Sequence, residues 1–183
     1  MKEKKQIKIF QNIEISDVAA EGMAIARIEK YVVFVPYAAP GDIVDIQIVR
    51  KKKNFMEGII HRLIKPSDMR VTPVCKHFGI CGGCKWQHIP YLEQLNCKKK
   101  QVVDSLTRIG KLSIPENFSI KGSDTTEYYR NKLEFTFSDK RWLTREEIFG
   151  TNHNLERNAL GFHIPGMFDK VLDIETCYLQ HPI

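Results

Sequence analysis

Tyr31-Val32-Val33-Phe34-Val35-Pro36, then Pro40-Gly41, then Ile43-Val44-Asp45-Ile46-Gln47-Ile48-Val49 is the stretch on which the fold turns. A β-branched and aromatic run stopped by proline, a strong turn pair and an apolar–polar alternation read as strand, turn, strand. Upstream, Ile7, Ile9, Ile13 and Ile15 occupy odd positions, the period of a half-buried strand, with a shift expected near Phe10. Gly22 opens a further strand, Met23-Ala24-Ile25-Ala26-Arg27-Ile28. Downstream, Arg50-Lys51-Lys52-Lys53 falls in a turn before a last strand from Phe55 to Leu63. Five short strands separated by close turns fit a small closed barrel of the OB type. A flat meander would leave edges and one face uncovered.

Pro66-Ser67 marks the expected boundary, giving a barrel over residues 1–66 and a second domain over 67–183. The second domain reads as a small α+β unit, so the chain as a whole is mainly β. From Val71 to His88 the sequence is rich in Cys and Gly without periodicity. A helix is expected over about 90–110, with Pro90 in its first turn and Gly110 as its stop. Leu92, Leu95, Val102, Leu106 and Ile109, spaced 3, 7, 4 and 3, form one apolar stripe. Cys97 lies two residues from Leu95, about 200° around the helix, and so points away from that stripe. Leu133, Phe135 and Phe137 alternate with polar residues as in a strand. Residues 139–158, with Asn152, Asn154 and Asn158, read as a loop or hairpin-tip insertion, and strand signals resume at Gly161–Ile164 and Val171–Ile174.

Hydrophobic residues make up 43% and charged residues 27%, a globular balance. The longest apolar stretch, Tyr31 to Ala39, is too short to span a bilayer. The Lys-rich start lacks the apolar core of a signal peptide, so a cytoplasmic, monomeric protein is expected. The net charge of +6 is concentrated in Arg50–Lys53 and Lys98–Lys100. Such clusters suit a polyanion, because each phosphate contact releases counterions. They equally suit solvated loops and helix faces.

The five cysteines do not read as a disulfide framework in a reducing compartment. Cys75-x5-Cys81-Gly82-Gly83-Cys84 places three thiols within ten residues, and Cys177 follows far downstream. The two glycines clear the tight loop and let backbone N–H groups turn toward sulfur. Structural zinc usually draws paired Cys-x2–4-Cys knuckles, whereas three close ligands and one remote ligand suit a cubane iron–sulfur cluster. Spacing favours the cluster and leaves zinc open. Cys97 is a rival fourth ligand, read as a free thiol on the helix surface. His77 and His88 flank the loop and read as hydrogen-bonding neighbours, and Trp86 as packing for the loop.

Pro40-Gly41-Asp42, Pro66-Ser67, Arg70-Val71-Thr72-Pro73 and Cys75…Cys81-Gly82-Gly83-Cys84-x-x-Gln87-His88 resemble RNA uracil-5-methyltransferases. The resemblance is to the branch with an N-terminal TRAM domain and a cubane cluster. Lys99, Val102, Leu106 and Arg108-Ile109-Gly110 continue it. Tyr129-Arg130-Asn131-Lys132 and Gly161-Phe162 through Asp173-Ile174-x-x-Cys177 are similar to that family's central domain. The resemblance implies Cys75, Cys81, Cys84 and Cys177 as ligands of a 4Fe-4S cluster, with Cys97 outside. It also implies S-adenosylmethionine as methyl donor, a cysteine that attacks C6 of the target uracil, and a carboxylate base. Those parts belong to a C-terminal Rossmann-like domain. No Gly-rich loop here suits that cofactor, Gly122-Ser123-Asp124 being an ordinary turn signal, so an N-terminal portion without the catalytic domain is expected.

The implied partner is RNA, ribosomal RNA first and transfer RNA second. Lys51, Lys52 and Lys53 lead the candidate RNA contacts, followed by Arg27 and Lys30, with Arg130 and Lys132 in the second domain. Tyr31 and Phe55 are candidate stacking rings, against a role in the barrel core. Two other classes stay open: an RNA-binding module with structural zinc, and an electron-transfer protein that uses the cluster directly.

Overall fold

The computed structural model describes residues 8–151 and 155–181. Ile7, Asn152 and Asn154 lie outside the described residues. The chain folds as two compact units, the first comprising residues up to Thr72 together with His88–Gly122, the second Pro73–Gln87 together with the chain from Ser123 onward. The boundary expected after residue 66 thus falls inside the first unit, and the helix groups with the barrel.

In the first unit, β1 (Lys8–Val18), β2 (Met23–Ile28), β3 (Tyr31–Pro36), β4 (Ile43–Lys51) and β5 (Phe55–Lys65) form a closed barrel in the order β1-β2-β3-β5-β4. All pairings are antiparallel except β3 with β5, where Val32 faces Phe55. The period-two pattern dictates the interior: Ile15, Ala24, Ala26, Ile28, Val33, Val35, Val44, Ile46 and Met56 are all buried. Ala24 lies opposite Val35 and Ala26 opposite Val33, so small residues face larger ones across the ladder and the narrow lumen fills.

The shift expected near Phe10 is present, between Phe10 and Ile13 in the pairing with β4. Asn12 takes a positive φ of 54°, and its N–H donates to Asp45 Oδ1 at 3.0 Å. The bulge changes parity, so Phe10 packs against the core while Ile9 is exposed. Gly58 on β5 marks the tightest approach in the wall, since a Cβ there would stand 2.4 Å from Ile46 Cγ2. Gly58→Ala is therefore expected to cost about 1–3 kcal/mol by overpacking, read as a lower midpoint in urea unfolding.

Asp42 anchors the segment that leaves the barrel. Its side chain is fully buried and accepts four bonds: from Ala39 N–H, Ser67 N–H, Arg70 Nε and Arg70 Nη2. Arg70 Nη2 also donates to the Tyr37 carbonyl. Gly41, at φ 87°, makes the turn that aims Asp42 inward. The buried His88 ring nitrogen Nε2 lies 3.2 Å from the Ala38 carbonyl, and Val71 N–H donates to the His88 carbonyl.

Helix α1 (Tyr91–Asp104) follows Pro90 and ends in a π-helical turn, Ser105–Ile109, closed by Gly110 N–H on the Ser105 carbonyl. Its apolar stripe is only partly covered: Leu95 and Leu106 are half-buried, but Leu92 is 73% exposed and Ile109 82%. Polar groups add to this packing. Gln101 Nε2 donates to the Ala19 carbonyl, and Lys100 pairs with Asp17 at 2.6 Å and Asp104 at 3.4 Å. Cys97 is half-buried, not a fully solvated thiol.

The second unit carries a three-stranded antiparallel sheet of β6 (Thr136–Ser138), β7 (Ala159–Ile164) and β8 (Met167–Asp173), in that order. The expected strand at 133–137 is regular only from Thr136, although Phe135 stacks on Phe162 at 4.8 Å. The expected loop at 139–158 holds a short helix, α2 (Arg145–Phe149). Thr144 and Glu147 form its capping box, each side chain bonding the other's backbone N–H. Among the described residues no helix is long and apolar enough to cross a membrane.

Candidate metal centre and basic surface

The cysteine segment has few regular elements, so its shape rests on individual bonds. Phe78 N–H donates to the Cys75 carbonyl, and both Ile80 and Cys81 N–H donate to the His77 carbonyl. Gly79 supplies a positive φ of 89° between them. Gly83 N–H lies 3.4 Å from Cys81 Sγ, the backbone-to-sulfur contact that the Gly82-Gly83 pair was expected to allow. Cys75 N–H donates to Gln87 Oε1 at 3.1 Å.

The far end of the chain comes back to this loop within the same unit. Glu175 N–H donates to His77 Nε2 at 3.2 Å, and Glu175 pairs with Lys76. His77 is thus a strut between the loop and the segment carrying Cys177, as a hydrogen-bonding neighbour should be. Tyr128 and Arg130 N–H donate to the Tyr178 and Leu179 carbonyls, which brings Arg130 beside Cys177.

Cys75, Cys81, Cys84 and Cys177 consequently line one cavity of about 430 Å³, with His77, Gln87, Arg130 and Lys132 also in its wall. Burial pushes the Cys81 and Cys84 thiols up, and the neighbouring thiols push them further. Gly83 N–H opposes the rise at Cys81, and Gln87 and the Arg130 guanidinium oppose it at Cys84. Four thiols around one cavity, with the Gly83 N–H on the Cys81 sulfur, are a donor set that suits a soft, multiply charged centre. Among the described residues, no group of three or more His, Cys, Asp or Glu forms a ready-made site for a single metal ion. The thiols share a cavity, not a point. Cys97 lies on α1 in the other unit.

The basic candidates divide between the units. Arg130 and Lys132 are in the cysteine cavity, where Lys132 pairs with Glu134 at 2.9 Å and Arg130 Nε donates to the Lys132 carbonyl. On the barrel, the parallel β3–β5 pairing brings the β2–β3 and β4–β5 turns to the same end. Lys30 and Lys51 both reach the Tyr31 ring, at 5.7 and 4.6 Å from its centroid. Tyr31 also packs against the core, so its exposed side is already shared by two ammonium groups. Phe34 and Phe55 meet edge to face at 5.6 Å. Lys52 and Lys53 follow in a turn closed by Lys52 N–H on the Phe55 carbonyl. Arg27 is exposed and paired with Val32, on the outward parity of β2. Of the Lys98–Lys100 run, Lys100 is committed to its two aspartates.

Residues 7–60, which take in most of the barrel of the first unit, match the family model of the TRAM domain. Over 170 residues the chain is 57% identical to a protein of Porphyromonas gingivalis named as an uncharacterized RNA methyltransferase, covering 91% of this chain and 37% of that protein. A protein of the same name from Bacteroides thetaiotaomicron is 55% identical, with the same coverage of both chains. One from Chlorobaculum tepidum is 44% identical over 77% of this chain and 29% of its own length. The chain is similar to these proteins named as RNA methyltransferases and spans about a third of their length. The solved structure of the Pyrococcus abyssi tRNA (uracil-54, C5)-methyltransferase with S-adenosyl-L-homocysteine matches with a TM-score of 0.51 and 22% identity. That match covers 93% of this chain and 33% of the other, and at such identity it bears on the fold alone.

Sequence reasoning carried Gln87 within the Cys84-x-x-Gln87-His88 motif without giving it a role. Its place three residues after Cys84 was the available signal, and its meaning depends on a loop that folds back to Cys75.

Proposed function

We propose that this chain is the RNA-binding, iron–sulfur portion of an S-adenosylmethionine-dependent RNA uracil-5-methyltransferase. The carrying observation is that the four cysteines singled out by spacing and resemblance, two segments apart in the chain, line one cavity. Cys75, Cys81, Cys84 and Cys177 would hold a 4Fe-4S cluster. The cluster would tie the Cys75–Cys84 loop to the Cys177 segment and add its binding free energy to folding. Arg130 would offset the negative charge of four thiolates. On this reading methyl transfer, with its cofactor and nucleophile, would belong to a part of the longer protein that this chain does not span. Ribosomal RNA is the first expected substrate and transfer RNA the second.

Iron, zinc and acid-labile sulfide per chain, on protein purified without oxygen, test the reading. About four irons and four sulfides are expected. About one zinc without sulfide overturns the cluster and leaves an RNA-binding zinc module.

The barrel end with Lys30, Lys51, Lys52 and Lys53 would bind the phosphate backbone. In single-stranded RNA each lost phosphate contact reduces the salt slope of log K by about 0.7. Replacing Lys51, Lys52 and Lys53 together by alanine should lower that slope by about 2 and weaken binding uniformly across sequences. Titrations at several salt concentrations check this, and an unchanged slope places the RNA elsewhere.

A further inference from the structure

Gly82 stands between Cys81 and Cys84, and its backbone does not call for glycine. Neither Gly82 nor Gly83 takes a positive φ, unlike Gly79 and Gly166. What excludes a side chain is the space beside it. A Cβ on Gly82 would stand 2.9 Å from Pro165 Cγ and 3.5 Å from Pro165 Cδ. Pro165 and Gly166 form the tip of the β7–β8 hairpin, closed by the Ile164–Met167 pair. Two-residue hairpin loops normally place a positive φ at the first central residue, which proline cannot adopt. Here Pro165 takes that place and Gly166, at φ 79°, the next, the pattern of a type II turn. The pairing slips between His163 and Ile164 just before it. The tip is thus shaped against the usual preference of a hairpin, and its rigid ring lands on the cysteine loop.

We infer that Pro165 is a positioning residue for the metal centre: its ring, seated on Gly82, holds the Cys81–Cys84 stretch in the conformation that lines the cavity. The inference rests on the reading of these thiols as a metal site, iron–sulfur or zinc, and goes beyond it. The seat adjoins Cys81 on one side and, on the other, the Gly83 N–H that meets Cys81 Sγ at 3.4 Å. A methyl on Gly82 must displace either the ring, which cannot rotate away, or the Gly82–Gly83 peptide that carries this N–H. His77 ties the early part of the loop to the Cys177 segment through Glu175, and Pro165 ties the late part. Ligands held in place beforehand lose less freedom when the metal arrives, so the site retains it longer.

The experiment measures how fast the anaerobically purified, metal-loaded chain gives up its metal to excess chelator, for wild type, Gly82→Ala, Pro165→Ala and the double variant. Pro165→Ala removes Cγ and Cδ, the two atoms nearest the seat, and Gly82→Ala adds one carbon there. Gly82→Ala should release metal at least about fivefold faster than wild type, the low end of an overpacking cost. Pro165→Ala should also be faster. The double variant should be slower than Gly82→Ala, because the added carbon falls in the room that the ring vacates. With iodoacetamide present, Cys81 and Cys84 should be alkylated before Cys75 and Cys177 in both single variants. A general loss of stability would expose all four together, and that pattern overturns the inference. Wild-type release from Gly82→Ala also overturns it, as does a double variant no better than Gly82→Ala. Should Gly82→Ala fail to load, loading of the double variant supports the inference and its failure overturns it. One zinc per chain without sulfide would overturn the cluster and leave this inference standing, whereas a wild-type chain that binds no metal overturns both.

Discussion

Replacing Cys177 by serine is expected to strip the chain of most of its iron and sulfide and to lower its melting temperature by more than about 10 °C. Binding free energy at a small cysteine metal site is folding free energy, on the order of 10 kcal/mol in structural zinc peptides. In a unit of this size, about 1 kcal/mol moves the melting temperature by roughly 4–8 °C. Cys177 lines the cavity with the three loop cysteines and anchors the returning segment that His77 and Arg130 also grip. Cys97→Ser is the matched control, since that thiol lies on α1 in the other unit. It should leave metal content and melting temperature close to wild type. Calorimetry and metal analysis on both variants decide the matter, and equal melting temperatures would sink the assignment of Cys177.

Asp42→Ala should destabilise the barrel unit by about 3–5 kcal/mol, the range seen when one partner of a buried ion pair is removed. The loss strands the Arg70 guanidinium, which is only 21% exposed, together with the Ala39 and Ser67 N–H groups. Urea unfolding measures the effect, and a loss under about 1 kcal/mol would mean that water replaces the carboxylate freely. The same site predicts an acid response. Burial pushes the Asp42 carboxyl up, but the Arg70 bonds and the two backbone N–H groups outweigh it, leaving the carboxyl below its usual value. Its contribution is therefore fully present above the unfolded carboxyl value of about 3.9 and is lost as pH falls through the lower folded value. Wild-type stability should drop below about pH 4, and Asp42→Asn should flatten that part of the profile.

The barrel was legible because its physics is local. Each strand repeats every two residues, each turn carries Gly or Pro, and the bulge at Asn12 shows as a break in the alternation. The helix was legible as an element but not as a packed face. Its apolar stripe drew the eye, whereas Lys100 and Gln101 make the polar contacts to Asp17 and Ala19. The short helix at Arg145–Phe149 was missed although Thr144 and Glu147 spell its capping box, because the surrounding polarity suggested a loop. Among site residues, cysteines declare themselves by spacing. Gln87 and His77 act through partners that only the fold supplies, one of them 98 positions away.

The motif residues around Asp42 have a division of labour that spacing alone hides. Gly41, Asp42 and Arg70 form a clamp at the barrel's exit, while Gln87, Cys75, Cys81, Cys84 and Cys177 belong to the second unit.

The second unit is assembled from a short early segment and a long late one, with a whole helix-bearing stretch of the first unit between them. During synthesis at about 5–20 residues per second, the first three thiols leave the ribosome roughly 5–20 s before the fourth. For that interval the growing chain presents Cys75, Cys81 and Cys84 as an open, oxidation-sensitive loop. On the proposed reading, delivery of a metal centre would be a late event in the birth of this protein, timed by the arrival of Cys177.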